Sequence, residues 1–302
     1  MGSNAWAPAE EALAEEWFSQ GKDAQQVCDL FAAKGIRRTH QSIRRKKQRE
    51  GWHALIQDAP ARLMPPEPLI FESDAVLGLF DPHAPGHDAA WMNRVMAVAL
   101  GMGVRDLVIG GDLIDWASLS PYGRQRGLEA SDEIAAVQQI VRACARNFTR
   151  IFEIDGNHEQ RGERATNGAI STKTLADLWI RDKNVVHSTY KWCEFVSGGQ
   201  RWRFVHPNNY SRVPGAVARD LAEIYSVNVA IGHGHTWGQT ISKDNRYWAI
   251  DGGVCCDESK IQYKEMSMSR NAKWYRGAVL VIEGTPILLG PDNIGLYERI
   301  VA

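Results

Sequence analysis

The sequence predicts an α/β protein of two packed sheets with helices outside, preceded by a small three-helix module. Three observations predict it. Between residues 75 and 154, short apolar runs alternate with helically spaced segments, and each run ends in a cluster of Asp, His, Asn or Gly. After residue 200, short apolar runs follow one another without long helices, which implies antiparallel or mixed pairing. Before residue 52, apolar positions recur at helical spacing between glycines.

A chain of 302 residues holds one large domain plus a small one, and 44% apolar with 24% charged residues is an ordinary globular composition. No run of eighteen apolar residues exists, so no membrane partner is expected. Met1-Gly2-Ser3-Asn4 carries no apolar signal region, so export is not expected. The five cysteines include no C-x-x-C, which fits a reducing cytoplasm; adjacent Cys255 and Cys256 are either reactive thiols or buried side chains at a strand end. Net charge is −1, yet Lys34 to Glu50 holds eight Lys or Arg and one acid, a local +7 that can attract a polyanion.

In residues 1–51, a first helix is predicted over Ala9 to Gln20, with Leu13 and Trp17 one turn apart. Gly21 ends it. Asp23 is placed as the next N-cap, with Gln26 completing a capping box, and Val27, Leu30 and Phe31 form the apolar stripe. Gly35 closes that helix. Thr39 caps a third, running to about Arg49 before Gly51. This third helix has Ile43 as its apolar anchor and carries Arg44, Arg45, Lys46, Lys47 and Arg49. One small anchor and many cationic donors suit a helix laid in a DNA groove, and Gln41 and Ser42 fall where base edges would lie. The predicted partner is therefore DNA, held through residues 34–50, with a solvated basic helix or a protein partner as the alternatives. Residues 52–70 read as a linker stiffened by Pro60, Pro65, Pro66 and Pro68, leaving 71–302 as the catalytic domain.

Strands are predicted at Ala75–Phe80, Asp106–Ile109, Ile151–Ile154, Arg203–Val205, Val227–Ile231, Tyr247–Ile250, Ala278–Ile282 and Pro286–Leu289. Helices are predicted at Asp88–Leu100 and Ser131–Phe148. Just past strand ends stand Asp81 and His83, Asp112, Asn157, His206, and His233 and His235, at the sheet edge where ligands bind in open α/β sheets. Seven such donors, six of them Asp or His, suit borderline divalent cations (Mn, Fe or Zn, with Mn favoured), and the histidines argue against calcium. Asp-x-His and His-x-His spacings put both members of a pair on one side of an extended backbone. Asp112, with Gly110 and Gly111 before it, is the carboxylate chosen to bridge two ions. Such a pair clamps the attacking and leaving oxygens of a phosphoryl group and lowers the pKa of water.

Taken together, Asp81-Pro82-His83, Gly110 to Asp115, Gly156-Asn157-His158-Glu159, His206 and Gly232-His233-Gly234-His235 resemble the calcineurin-like metallophosphoesterase superfamily over residues 75–290. The run on to Gln160 and Arg161, and Trp116 to Tyr122, resemble its phage and prophage branch. Residues Arg37 to Arg49 with Trp17 are loosely similar to Myb-like and helix-turn-helix modules. The resemblance implies a metallophosphoesterase sandwich in a bacterial or phage-infected cytoplasm. It implies a first metal on Asp81, His83, Asp112 and His235, and a second on Asp112, Asn157, His206 and His233. It implies that His158 meets the leaving oxygen, that Asp115 orients His158, and that Arg161 clamps phosphate. His206-Pro207 departs from the family's usual His-Gly.

The chemistry implied is in-line attack of metal-activated hydroxide on phosphorus. The basic module favours a phosphodiesterase or nuclease acting on DNA. The alternatives are a phosphomonoesterase or protein phosphatase with a docking module, and a non-catalytic DNA-binding scaffold with a vestigial site. Residues 115–131, with Trp116, Tyr122, Arg124 and Arg126, are read as a loop over the site, and Trp237 as a wall or a core residue. Oligomeric state is not readable from the sequence.

Overall fold

The structure is a computed structural model that describes residues 5–52, 67–120, 127–261 and 274–302. The chain divides into two compact units, residues 1–65 and 66–302.

The first unit follows its punctuation closely. Helix α1 spans Pro8–Ser19, α2 Ala24–Ala33 and α3 His40–Glu50. Pro8 opens α1 where a missing N–H costs nothing. The Asp23 carboxylate accepts from the amides of Gln25 and Gln26, both at 2.8 Å, and Gln26 Oε1 accepts from the Asp23 amide at 2.9 Å. Asp23→Ala is expected to cost the helical unit about 1 kcal/mol, read as a lower urea midpoint for the loss of its helicity. Thr39 Oγ1 caps α3 through the Ser42 amide, and Gly51 closes it at φ 68°. Trp17, Phe18, Val27, Phe31 and Ile43 form the core, with Trp6 and Trp52 packed against them.

One expectation about α3 needs correction. Lys46 is buried, because it lies one turn after Ile43 on the same helix face, and it pairs with Glu11 and with Glu50 at 2.9 Å. Arg38 is likewise engaged by Glu10 at 2.6 Å. Arg44, Arg45 and Gln48 remain exposed. Of the stretch 52–70, Trp52 packs into the helical unit and Leu69 begins a strand. Residues 53–66, with His53, Pro60, Pro65 and Pro66, lie outside the described residues.

The second unit is the expected two-sheet α/β sandwich. Its strands are β1 (Leu69–Glu72), β2 (Ala75–Leu79), β3 (Asp106–Ile109), β4 (Arg150–Ile154), β5 (Val185–Ser188), β6 (Trp192–Ser197), β7 (Gln200–Val205), β8 (Asn228–Ile231), β9 (Trp237–Ile241), β10 (Trp248–Gly252), β11 (Ala278–Ile282) and β12 (Thr285–Leu289). Its helices are α4 (Ala89–Gly101), α5 (Ala130–Asn147), α6 (Glu159–Ala165), α7 (Thr172–Ala176), α8 (Ala216–Tyr225) and α9 (Ile294–Val301). One sheet runs β12-β11-β2-β3-β4-β5, the other β1-β6-β7-β8-β10-β9, and both mix parallel and antiparallel pairs.

Alternation along the strands sorts side chains into layers. Val76, Phe80, Val108, Phe152, Phe195, Trp202 and Phe204 meet between the sheets. Leu77, Leu79, Leu107 and Ile109 turn to the opposite face of the first sheet, where Trp91, Val95, Val137 and Val141 of α4 and α5 cover them. Ala218 and Ala222 of α8 cover Val229 and Ile231 of the second sheet. Phe80 lies at the end of this inner layer, directly before the first ligand loop. A Cβ on Gly110 or Gly252 would collide with its ring, so glycine is required where those strand ends close over it.

Candidate metal centre

Seven side chains from both sheets converge at the carboxyl ends of their parallel strands. Asp81 and His83 follow β2, Asp112 follows β3 and Asn157 follows β4, while His206 follows β7 and His233 and His235 follow β8. Two groups of metal-type donors form from the expected ligands, Asp81 with His83 and His235, and Asp112 with His206 and His233, and His158 completes a third with His83 and Asp112. In the first, Asp81 Oδ1 lies 3.3 Å from His235 Nε2 and 3.8 Å from His83 Nε2, and the two Nε2 atoms are 3.3 Å apart. In the second, His206 Nε2 is 3.3 Å from Asp112 Oδ2 and 3.1 Å from Asn157 Oδ1. Asp112 Oδ2 also lies 3.9 Å from His83 Nε2, so one carboxylate oxygen reaches both groups.

The donor set fits divalent cations. Ligand atoms about 2.1 Å from one ion stand about 3–3.4 Å from each other, which is the spacing of four of these contacts, the two from His83 Nε2 to Asp81 and Asp112 being wider. Two imidazole nitrogens facing each other repel unless a proton or a cation lies between them. Electrostatics agree. Burial lowers the pKa of His206, but the charge and hydrogen bond of Asp112, with the Asp81 and Glu159 charges, together push it up to about 9. Burial raises Asp112, yet His158, His206 and His83 hold its carboxyl well below the usual range. The site thus draws positive charge, and a cation would displace a proton there.

The backbone route to this convergence differs from the expected one. Asp81, His83, Asp112, His233 and His235 all have left-handed φ, between 49° and 68°, rather than extended backbone. The paired ligands are therefore aimed by strained turns past the strand ends, not by the pleat. Residues other than glycine rarely hold such dihedrals; Asn, Asp and His do so most often, and their surroundings then support the turn.

At Asp112 that support comes from Glu159, a residue without an expected role. Its fully buried carboxylate accepts four amides: Asp112 at 3.0 Å and Gly156 at 2.7 Å on Oε2, Leu113 at 2.7 Å and Ile114 at 3.3 Å on Oε1. One side chain so ties the loop after β3 to the loop after β4. Burial and the nearby Asp112, Asp155 and Glu153 charges push its carboxyl up to about 8. Gly156 adds to the fit, since a Cβ there would strike Asp112.

His158 stands beside Asp112, with Nε2 3.7 Å from Asp112 Oδ2. Its Nδ1 lies 2.7 Å from Asp115 Oδ1, and the same oxygen lies 3.3 Å from His83 Nδ1. Arg161 is buried; Nη1 donates to the Asp115 carbonyl at 2.7 Å and Nη2 lies 2.8 Å from His158 Nε2. With a guanidinium donating to Nε2, the ring's proton belongs on Nδ1, facing Asp115. His206, despite the proline that follows it, is wholly buried, with Nδ1 3.1 Å from the Gly110 carbonyl.

Trp116 is buried against Trp179, at 6.3 Å between ring centroids, rather than overhanging the site. Tyr122, Arg124 and Arg126 lie outside the described residues. Trp237 donates from Nε1 to the Leu289 carbonyl at 3.0 Å, away from the ligands. Trp274 is the aromatic beside them, its ring 4.0 Å from that of His235; no periodicity marked it in the sequence. Cys255 and Cys256 are buried, and burial pushes both thiols up, which opposes the reactive-thiol alternative. No helix among the described residues is long and apolar enough to cross a membrane.

The chain matches no protein-family model and no curated protein. Among solved structures it is similar to Yfce, a phosphoesterase from E. coli, at 15% identity over 72% of this chain and 98% of that one, with a TM-score of 0.36. It is similar to Vps29 of Chaetomium thermophilum at 10% identity, over 69% and 78% of the two chains, with a TM-score of 0.37. A cold-active protein-tyrosine phosphatase of a Shewanella species shares 11% identity over 74% and 83%, with a TM-score of 0.35.

Proposed function

We propose that this chain is a two-metal phosphoesterase of the calcineurin-like type, acting on the phosphodiesters of DNA. The observation that carries the reading is the meeting of Asp81, His83, Asp112, Asn157, His206, His233 and His235 at one sheet edge, with Asp112 Oδ2 shared between the groups. Asp81, His83, Asp112 and His235 would hold one ion; Asp112, Asn157, His206 and His233 would hold the other. When bound, two divalent cations polarise the phosphoryl oxygens and ease the loss of a proton from water near neutral pH.

The chain's own groups do the rest. Asp115 fixes His158 through Nδ1, so that Nε2 is the atom exchanging a proton with the leaving oxygen. Arg161 already donates to that nitrogen, so a leaving oxygen arriving there meets both the imidazole and the guanidinium. Burial lowers the His158 pKa, so a proton that Nε2 takes up in place of the Arg161 contact is readily given to the leaving oxygen.

For DNA as substrate, the support is the exposed face of α3. Gln41, Arg44, Arg45, Lys47, Gln48 and Trp52 line an open groove of about 540 Å³, in which cations, amides and an indole stand together. Arg44→Glu with Arg45→Glu, in the full chain, is expected to weaken DNA binding at least about tenfold and to flatten its salt dependence. A gel-shift titration with unchanged affinity and slope would remove DNA from this proposal. Turnover of bis-p-nitrophenyl phosphate against p-nitrophenyl phosphate, with Mn, tests the reaction class. Preference for the diester is expected; preference for the monoester would move the reading to a phosphatase. Bound metal without turnover of either would indicate a scaffold.

A further inference from the structure

Beside the second donor group the described residues hold two cations that no carboxylate neutralises. Lys191, half-buried, has its main chain tied to a candidate ligand, for its carbonyl accepts from the His206 amide at 2.7 Å. Its ammonium donates to the neutral Asn208 Oδ1 at 2.9 Å, and no ion pair to it occurs among the described residues. Arg164 is anchored to another candidate ligand, donating from Nη2 to the Asn157 carbonyl at 2.8 Å. It too has no ion pair among the described residues. Burial lowers the Lys191 pKa and the Asp112 charge works against that, which places the ammonium within electrostatic reach of the centre.

The setting is a cleft and not a flat surface. Lys191, Trp192, Arg203, His206, Asn208 and Tyr225 line a hollow of about 230 Å³ that begins at the second donor group. Arg203 is already spoken for: it is sandwiched 4.2 Å from the Trp192 ring and 4.5 Å from the Tyr225 ring, and paired with Glu194 at 2.9 Å. It forms a rigid aromatic wall, while Lys191 keeps free donors at the cleft's inner end. Tyr210, exposed, stands 6.3 Å from the His233 ring on the same side.

We propose that Lys191 and Arg164 form an anion subsite at the Asn157–His206 edge, which takes the phosphate next to the one being cleaved. The inference rests on the two-metal reading and narrows it to substrates with more than one phosphate along a chain, that is, an oligonucleotide. A half-buried ammonium lacking a carboxylate partner gains most when an anion arrives, because the cost of its burial has already been met in the fold. Lys191, whose own carbonyl bonds the His206 amide, and the exposed Arg164, whose guanidinium bonds the Asn157 carbonyl, set the register of a polymer against the centre.

The test uses the full chain with Mn and two substrates, thymidine dinucleotide with and without a 5′ phosphate. The wild-type chain is expected to prefer the phosphorylated one, in kcat/KM, by at least about tenfold. Lys191→Ala and Arg164→Ala are each expected to collapse that preference, with Lys191→Arg retaining most of it. A ratio left unchanged in the alanine variants would overturn the subsite, whether both rates fall together or neither does. Should the wild-type chain cleave neither dinucleotide, the phosphoesterase reading falls, and calorimetric binding of the same two compounds decides the subsite. Tighter binding of the phosphorylated one, abolished by Lys191→Ala, upholds it; equal affinities overturn it.

Discussion

Replacing Asp112 by asparagine is expected to lower kcat by about 10³-fold or more and to erase most of the stabilisation that Mn gives the wild-type chain. The substitution keeps the shape of the side chain and an oxygen to accept the His158 amide, which now bonds Oδ1 at 2.8 Å. It removes the charge on the oxygen that lies between the two donor groups. At a metal concentration a hundredfold above Kd, each occupied site adds about 2.7 kcal/mol, so the wild-type chain should melt several degrees higher with Mn than with chelator. The readout is that difference and not the stability of the metal-free variant. In the metal-free chain Asp112 also balances the buried His158, His206 and His83, so losing its charge has a cost of its own. An Asp112→Asn chain that gains as much from Mn as the wild type would remove Asp112 from the centre.

Glu159→Ala is expected to destabilise the metal-free protein by about 4 kcal/mol. It leaves the amides of Asp112, Leu113, Ile114 and Gly156 buried without their acceptor, at about 1–3 kcal/mol each before water or relaxation relieves some of them. The measurement is the denaturant midpoint with an unchanged slope. Glu159→Gln should recover part of the loss, since one oxygen still accepts while the amide nitrogen faces donors. A loss below about 1 kcal/mol for the alanine variant would show that the loop bearing Asp112 is held by something else.

Both residues bear on what the sequence made legible. Asp81, Asp112 and Asn157 could be found because each follows a short run of apolar residues buried on both faces, a pattern that marks an interior strand and its end. Asp23, Thr39 and Gly51 were equally plain, because capping is decided within four residues. The rest depends on contacts across long stretches of chain. The edge strands β1, β5 and β9 leave half or more of their side chains at least partly exposed, so they lack the unbroken apolar run of β2 or β3. Helix α8, which is amphipathic and covers the second sheet, was passed over beside the stronger ligand signal of His206. Nothing local tells that Lys46 turns to Glu11, thirty-five residues away, or that Glu159 reaches back to the loop of Asp112. Likewise, a pair spaced Asp-x-His or His-x-His is legible as a pair, but its left-handed turns are held by distant partners, the His83 amide by the Asp112 carbonyl and the His233 amide by the Asp81 carboxylate.

The central claim is that one carboxylate joins two cation sites. Crystals of the full chain grown with Mn, measured at the Mn absorption edge, test it most directly. Two anomalous peaks are expected about 3.5–4 Å apart, one on each side of the Asp112 carboxylate. A single peak, or two peaks that do not share Asp112, would contradict the account.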